Sequence, residues 1–184
     1  MVLTKTPICN FGEKPYSFRL KGVDNKFYKF EDCVGKNGTL VMFICNHCPY
    51  VKAVVKDIVN DVINLKGLGV ETIAIMSNDT INFPDDSFDN MIKFSKINNF
   101  NFPYLIDETQ DVAKKYGAVC TPDFFGYNNK LELNYRGRIK ELKNLKPVNT
   151  EESDLLSAMK MIVKTGSGPK KQIPSMGCNI KWVK

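Results

Sequence analysis

Long apolar runs are missing from this sequence of 184 residues. Nowhere does it approach the roughly 18 consecutive apolar residues of a membrane-crossing helix, so no membrane partner is expected. The opening stretch, MVLTKTPICNFGEKPYSF, holds no apolar segment long enough for a secretory h-region, and the expected location is the cytoplasm. Histidine is nearly absent as well: there is one, and no second CxxC or cysteine–histidine pair accompanies it. A structural zinc site needs four ligands and is disfavoured on that count. Basic residues are plentiful but not gathered, since 26 Lys and Arg against 20 Asp and Glu leave a net charge of +6 mixed along the chain. A nucleic-acid surface wants a clustered basic face with interleaved aromatics, so no nucleic-acid partner is expected. No internal repeat and no linker interrupts the chain. Residues 1–184 read as one domain, with an irregular tail from about 166 to 184 where glycine and proline are frequent. A chain of this size buries roughly 70% of its unfolded surface, enough for a core without disulfide or metal staples.

What is present starts with alternation. Tyr16, Phe18 and Leu20 alternate with polar residues, GVDN supplies a turn, and Phe27 and Tyr28 open a return strand, which predicts an N-terminal hairpin. GTLVMFICN is a continuous apolar run of strand length, the pattern of a central strand covered on both faces. The period then changes: Val51, Val54, Val55, Ile58, Val62 and Leu65 recur at three- and four-residue steps and predict a helix from about Pro49 to Lys66. VETIAIMSND reads as the next strand. A polar loop leads to a helix carrying Phe88, Met91, Ile92 and Phe94; FPYLID returns as a strand, and TQDVAKKYG makes a short helix ended by Gly117. DFFGYNNKLELNYRG has the pattern of a second hairpin turning at NNK. The last helix is expected to begin near Asn149 or Thr150 as cap, with Leu155, Leu156, Met159, Ile162 and Val163 as its apolar stripe.

Cys45 and Cys48 flank His47 in FICNHCPYVK, where the central strand gives way to the first long helix. Unpaired backbone N–H groups and the positive end of the helix dipole meet there. That setting favours a thiolate and lowers a cysteine pKa from about 8.5 into the range of about 3.5 to 7.5. Pro49 suits the first turn because its missing N–H costs nothing there, and His47 adds partial positive charge beside the sulfurs. A bridge between the two cysteines closes a very short loop and brings little entropic stabilisation, so the pair reads as chemistry rather than as a clip. Later, GAVCTPDFF places Thr121–Pro122 between a short helix and a strand, a position for an ordinary trans turn or for a tight turn with a cis bond.

A CxxC at a strand–helix junction followed by Thr-Pro before a strand resembles the thioredoxin superfamily. The N-terminal hairpin and the added segment DDSFDNMIKFSKINNFNFPYLID resemble the branch holding peroxiredoxins and TlpA/ResA-type thiol-disulfide oxidoreductases. FICNHCPYVKA, SNDTINFPDDSFDNM, YGAVCTPDFF, YRGRI and PSMGCNIKW together look like a group of bacterial redoxins labelled as alkyl hydroperoxide reductase/thiol-specific antioxidant (AhpC/TSA) proteins, over about Phe11 to Trp182. The resemblance implies an α/β thioredoxin-like fold: a central mixed sheet flanked by helices, with the hairpin at its N-terminus and an inserted helix. It implies a cis Thr121–Pro122 bond opposite the CxxC, with the Thr121 backbone beside the sulfurs. By the same carry-over Cys45 is the exposed attacking thiol and Cys48 the resolving one in thiol-disulfide exchange, with no cofactor. The partners implied are a disulfide-bearing protein or small molecule and a reductant that recycles the dithiol. Ile44 stands where thioredoxin has tryptophan, and Asn46-His47 replaces its Gly-Pro. A His before the second Cys resembles strongly oxidising oxidases, so the couple is expected to be less reducing than thioredoxin's.

Peroxiredoxin-like chemistry reads the same residues differently. Its Thr-x-x-Cys-Pro motif puts Cys48 in the peroxide-attacking position and Cys45 in the threonine's place, with Cys45 resolving a Cys48 sulfenate. That motif's upstream proline is Val41 here, and the arginine the chemistry needs is matched only by position, at Arg136 or Arg138. A third reading is a Cu(I)-binding chaperone using Cys45, His47 and Cys48. Cys9, Cys33, Cys120 and Cys178 stand alone, and packing is the default for each. Cys120, two residues before Pro122, and Cys178, in a tail able to fold back, are additional redox candidates.

Overall fold

The computed structural model describes residues 3–149 and 151–184. Its centre is β4 (Gly38–Phe43), whose six residues are all buried. Alternate side chains enter two separate cores: Leu40 and Met42 join one, Val41 and Phe43 the other. That two-sided burial is why the run is continuously apolar rather than alternating. β4 pairs in parallel with β5 (Val70–Met76) and antiparallel with β8 (Asp123–Asn128).

Around this centre the sheet grows to seven strands. The N-terminal hairpin β2 (Arg19–Gly22) and β3 (Phe27–Lys29) forms as expected and joins through β6 (Tyr104–Ile106). On the far edge β9 (Leu133–Tyr135) completes the hairpin with β8, and the spatial order is β3-β2-β6-β5-β4-β8-β9. Helix α1 (Pro49–Gly67) buries the predicted stripe of Val51, Val54, Val55, Ile58, Val62 and Leu65. α2 (Phe88–Ile97) is capped by Ser87, whose hydroxyl accepts from the Asn90 N–H. α3 (Asp111–Tyr116) ends at Gly117, whose φ of 60° is the left-handed conformation that glycine adopts cheaply. A small hairpin, β10 (Leu142–Lys143) and β11 (Lys146–Pro147), precedes α4 (Asp154–Thr165), which packs with α1 on the same core.

Two expectations need correction. The cap of α4 is Ser153, later than Asn149; Thr150, the other candidate, lies outside the described residues. Ser153 Oγ accepts from Leu156 N–H at 2.9 Å and donates to buried Asp61 at 2.5 Å, so a tertiary partner selects the cap. The C-terminal stretch is not irregular throughout, because Met176–Asn179 forms β12. This strand lies between β1 (Leu3–Lys5) and β7 (Cys120–Thr121), antiparallel to both, in a separate three-stranded sheet. Glycine, unfavourable in a strand by propensity, is required at 177: a Cβ there falls 1.9 Å from the Thr121 carbonyl oxygen.

Candidate active site

β4 ends at Phe43 and α1 begins at Pro49, so Ile44–Cys48 forms a short loop with Cys48 as the helix N-cap and Pro49 as the first helical residue. The loop is held by Asp86, from a 3₁₀ turn at Pro84–Asp86. One Asp86 oxygen accepts from the backbone N–H of Asn46 at 2.8 Å and of His47 at 3.3 Å. The other lies 2.6 Å from His47 Nδ1 and accepts from Asn78 Nδ2 at 2.7 Å. Tyr104 O–H donates to Asn46 Oδ1 at 2.9 Å, and the His47 ring stacks on Phe83 with planes 9° apart. Burial works to raise the Asp86 carboxyl, yet His47, Asn78 and the loop amides hold it below the ordinary range. The same hydrogen bond raises His47 above its ordinary value.

The Thr121–Pro122 bond is cis, and Thr121 meets both sulfurs. Its Oγ1 is 3.3 Å from Cys45 Sγ, and its carbonyl oxygen is 3.2 Å from Cys48 Sγ. Cys178, on β12 opposite Thr121, brings its own sulfur to 3.1 Å from Cys48 Sγ. Cys45, Cys48 and Cys178 therefore form one buried cluster, each at most 1% exposed. Cys45, expected to be exposed, is as enclosed as its partner.

The three thiols are not equivalent. The hydrogen bond from Cys45 does most to draw Cys48 down, to about 5, against burial and with help from Cys178, Thr121 and the Val51 amide in the first turn of α1. The Thr121 carbonyl opposes this, because it accepts from a thiol and repels a thiolate; the donors outweigh it. Cys45 moves the other way, well above the ordinary thiol value, because it donates to Cys48, is buried and faces the Asp86 charge. Burial and the bond to Cys48 raise Cys178 to about 12. Of the three thiols Cys48 is the one drawn toward the thiolate, while Cys45 and Cys178 are pushed toward the protonated form.

Cys120 is buried beside the cluster in β7, and burial is the main reason its thiol is raised. Cys9 and Cys33 lie in or against the opposite core, where burial raises both to about 11. The chain has three arginines, and each guanidinium is committed elsewhere. Arg136 pairs with buried Asp123 at 2.8 Å and donates to Gly117 O at 2.7 Å; Arg138 holds Asp154 at 2.7 Å and Glu141 at 3.2 Å; Arg19 lies over Phe27. As for metal, Cys45 Sγ, a His47 nitrogen and an Asp86 oxygen lie within 4.8 Å of one another. The Asp86 oxygens in that set are already spent on four hydrogen bonds. Sequence reasoning assigned no role to Asp86 or Asn78; the only signal was the motif SNDTINFPDDSFDNM, which contains both.

The arrangement of sheet, hairpin, CxxC and cis-proline is that of a thioredoxin-like protein. A model of the AhpC/TSA family matches residues 11–142, and the chain belongs to that family, one of thiol-based oxidoreductases. Over its whole length it is 37% identical to an uncharacterized conserved protein from Geobacillus kaustophilus, covering 97% of that chain with a TM-score of 0.91. A hypothetical protein from Sinorhizobium meliloti is similar at 32% identity, 98% coverage of both chains and a TM-score of 0.90. A secreted Mycobacterium tuberculosis disulfide oxidoreductase, at 14% identity, 68% of this chain, 87% of that one and a TM-score of 0.57, shares the fold. No curated protein matches the chain. No helix among the described residues is long and apolar enough to cross a membrane.

Proposed function

We propose that the protein is a thiol-disulfide oxidoreductase in which Cys48 is the nucleophile and Cys45 its CxxC partner. The observation that carries this reading is the Cys48 sulfur at the start of α1, lowered to about 5 by the neighbouring thiols. A thiolate at neutral pH attacks a disulfide RS–SR′, forming a Cys48–SR bond and expelling R′S⁻, which takes a proton from solvent. Cys45 then gives up its proton and attacks Cys48 Sγ, releasing RS⁻ and closing the Cys45–Cys48 bridge. Two electrons pass from the dithiol to the substrate, and a dithiol reductant that is itself oxidised to a disulfide returns two electrons to the Cys45–Cys48 bridge and resets the pair. These roles invert the carry-over from thioredoxin, in which Cys45 attacks. Six cysteines with no disulfide among them suit a reducing compartment, and a cytoplasmic location is part of the proposal.

Peroxide reduction is the second reading. The Cys48-Pro49 order supports it, as does a sulfur too enclosed for bulky oxidants. The commitment of all three arginines to other partners weighs against it. Copper delivery is supported only by the proximity of thiols, and tight Cu(I) binding by the reduced protein is its test. The experiment that separates the first two is stopped-flow reaction of fully reduced protein with hydrogen peroxide and, separately, with oxidised glutathione, followed by mass spectrometry. Slow peroxide reaction with rapid Cys48-dependent disulfide exchange supports the proposal. Peroxide reaction far faster than a simple thiol's, with sulfenate on Cys48 preceding any bridge, overturns it in favour of a peroxidase.

A further inference from the structure

Cys178 reaches Cys48 from a strand that is paired along both of its edges. β12 has β1 along one edge and β7 along the other. Ser175 Oγ donates to the Pro122 carbonyl at 2.7 Å, Thr6 N–H donates to Ser175 O at 2.9 Å, and Ile180 N–H donates to Val119 O at 3.0 Å. Gly177 allows the close approach that sets Cys178 opposite Thr121. A sulfur fixed 3.1 Å from a thiolate needs to close by only about 1 Å to reach disulfide length. A packing cysteine requires none of this alignment.

We infer that Cys178 is a third member of the redox centre and forms a Cys48–Cys178 disulfide during turnover; this rests on the reading of Cys48 as nucleophile. Cys48 attacks a small disulfide RS–SR, and RS⁻ leaves with a proton from solvent. Cys178 then loses its proton to solvent and attacks Cys48 Sγ, forming the Cys48–Cys178 bond and expelling the second RS⁻. Two protein thiols are oxidised and one disulfide is reduced to two thiols. Cys45 next attacks Cys48 Sγ, moving the bridge to Cys45–Cys48 and returning Cys178 to the thiol by exchange without net electron transfer. Burial does most to raise Cys178; the hydrogen bond to the Cys48 thiolate and its charge add to this and disappear once Cys48 is in a disulfide, while Lys181 pulls the thiol downward. The step that precedes the attack therefore removes part of what keeps Cys178 protonated. The substrate class is a small disulfide, because β12 itself fills the space beside Thr121 that borders the sulfurs.

The test is a quenched time course of reduced protein with oxidised glutathione as the probe, with free thiols alkylated and bridges mapped by peptide mass spectrometry. Cys45→Ser is expected to give a Cys48–Cys178 bridge in high yield with no lasting glutathione adduct. Cys178→Ser is expected to give Cys45–Cys48, with the Cys48–glutathione adduct persisting at least several-fold longer than in wild type. The wild-type time course reads the same intermediate without any substitution, so a poorly folding variant does not decide the matter. A Cys45→Ser protein that stops at the Cys48–glutathione adduct, with Cys178 alkylated, overturns the inference alone. Cys48 unmodified in every protein overturns the reading of Cys48 as nucleophile and the inference with it.

Discussion

The imidazole Nδ1 of His47 lies 2.6 Å from Oδ2 of Asp86, a carboxylate with no exposed surface. The same carboxylate receives the Asn46 and His47 amides, so one buried side chain sets both the ring and the backbone of the loop between the cysteines. The pair is mutually reinforcing: His47 is raised by Asp86, and Asp86, raised by burial, is brought below its ordinary range by His47 and its other donors.

A pH dependence of stability follows from His47. Its folded pKa is raised, so its contribution is complete below the unfolded value of about 6.5 and is lost as pH rises through the folded value. Cys48, lowered on folding, works in the opposite sense over part of the same range, so the difference between wild type and His47→Gln is the quantity to follow. That difference, from urea denaturation, is expected to be nearly flat below about pH 6.5 and to shrink above it. A difference independent of pH shows that the charge of His47 adds nothing.

Asp86→Ala removes the acceptor for His47, Asn78 and two loop amides at once. Breaking a buried charged pair by deleting one partner costs about 3–5 kcal/mol. Chemical denaturation is expected to show a loss of that order. The neighbouring Asp85, which is exposed, should change stability by no more than about 0.5 kcal/mol on the same substitution. Equal losses at the two positions contradict the account.

The thiolate assignment is read directly from ultraviolet thiolate absorbance. The reduced protein is expected to show a step near pH 5 that vanishes in Cys48→Ser. Cys178→Ala removes one of the donors to Cys48 and should move the step upward; Cys120→Ala should leave it in place. A step that survives Cys48→Ser and disappears in Cys45→Ser assigns the thiolate to the other sulfur.

The strand, loop and helix around the CxxC were legible because burial leaves a local signature there. A strand covered on both faces reads as an unbroken apolar run, and α1 shows its stripe at helical spacing; its end at Gly67 differs from expectation by one residue. The parts of the site that stayed hidden are those made by contacts distant in sequence. Asp86 meets His47 across 39 positions with no local pattern to show it; Cys178 was a redox candidate from its place in the tail, but its contact with Cys48 spans 130 positions and has no local signature. β12 was hidden for a related reason: Pro174 and Gly177 argue against a strand by propensity, and only the edges of β1 and β7 on either side make one. Ser153 was passed over for Asn149 because both are good caps and the choice is made by Asp61 on another helix.

A stabilised thiolate favours the reduced form of a dithiol and makes the couple more oxidising. The Cys45–Cys48 couple is therefore expected to lie above thioredoxin's potential of about −270 mV. Equilibration with glutathione buffers, read by mass of the alkylated protein, measures it. A value at or below thioredoxin's contradicts the lowered pKa of Cys48, since the two are linked through the stability of the same thiolate.

Gly177→Ala tests whether the approach of β12 to Thr121 positions the third sulfur. The added Cβ meets the Thr121 carbonyl oxygen at 1.9 Å, and because that atom is backbone the strands themselves must separate. Overpacking of this kind costs about 1–3 kcal/mol, which leaves a protein of ordinary stability folded. Separation carries Cys178 away from Cys48 but leaves Cys45, on the loop after β4, where it was. Oxidation by glutathione disulfide is then expected to parallel Cys178→Ser: Cys48–Cys178 falls at least several-fold in disulfide mapping, and the Cys48–glutathione adduct persists longer before the Cys45–Cys48 bridge closes. A Cys48–Cys178 bridge that still forms at the wild-type rate means that the approach of β12 to Thr121 does not position the third sulfur.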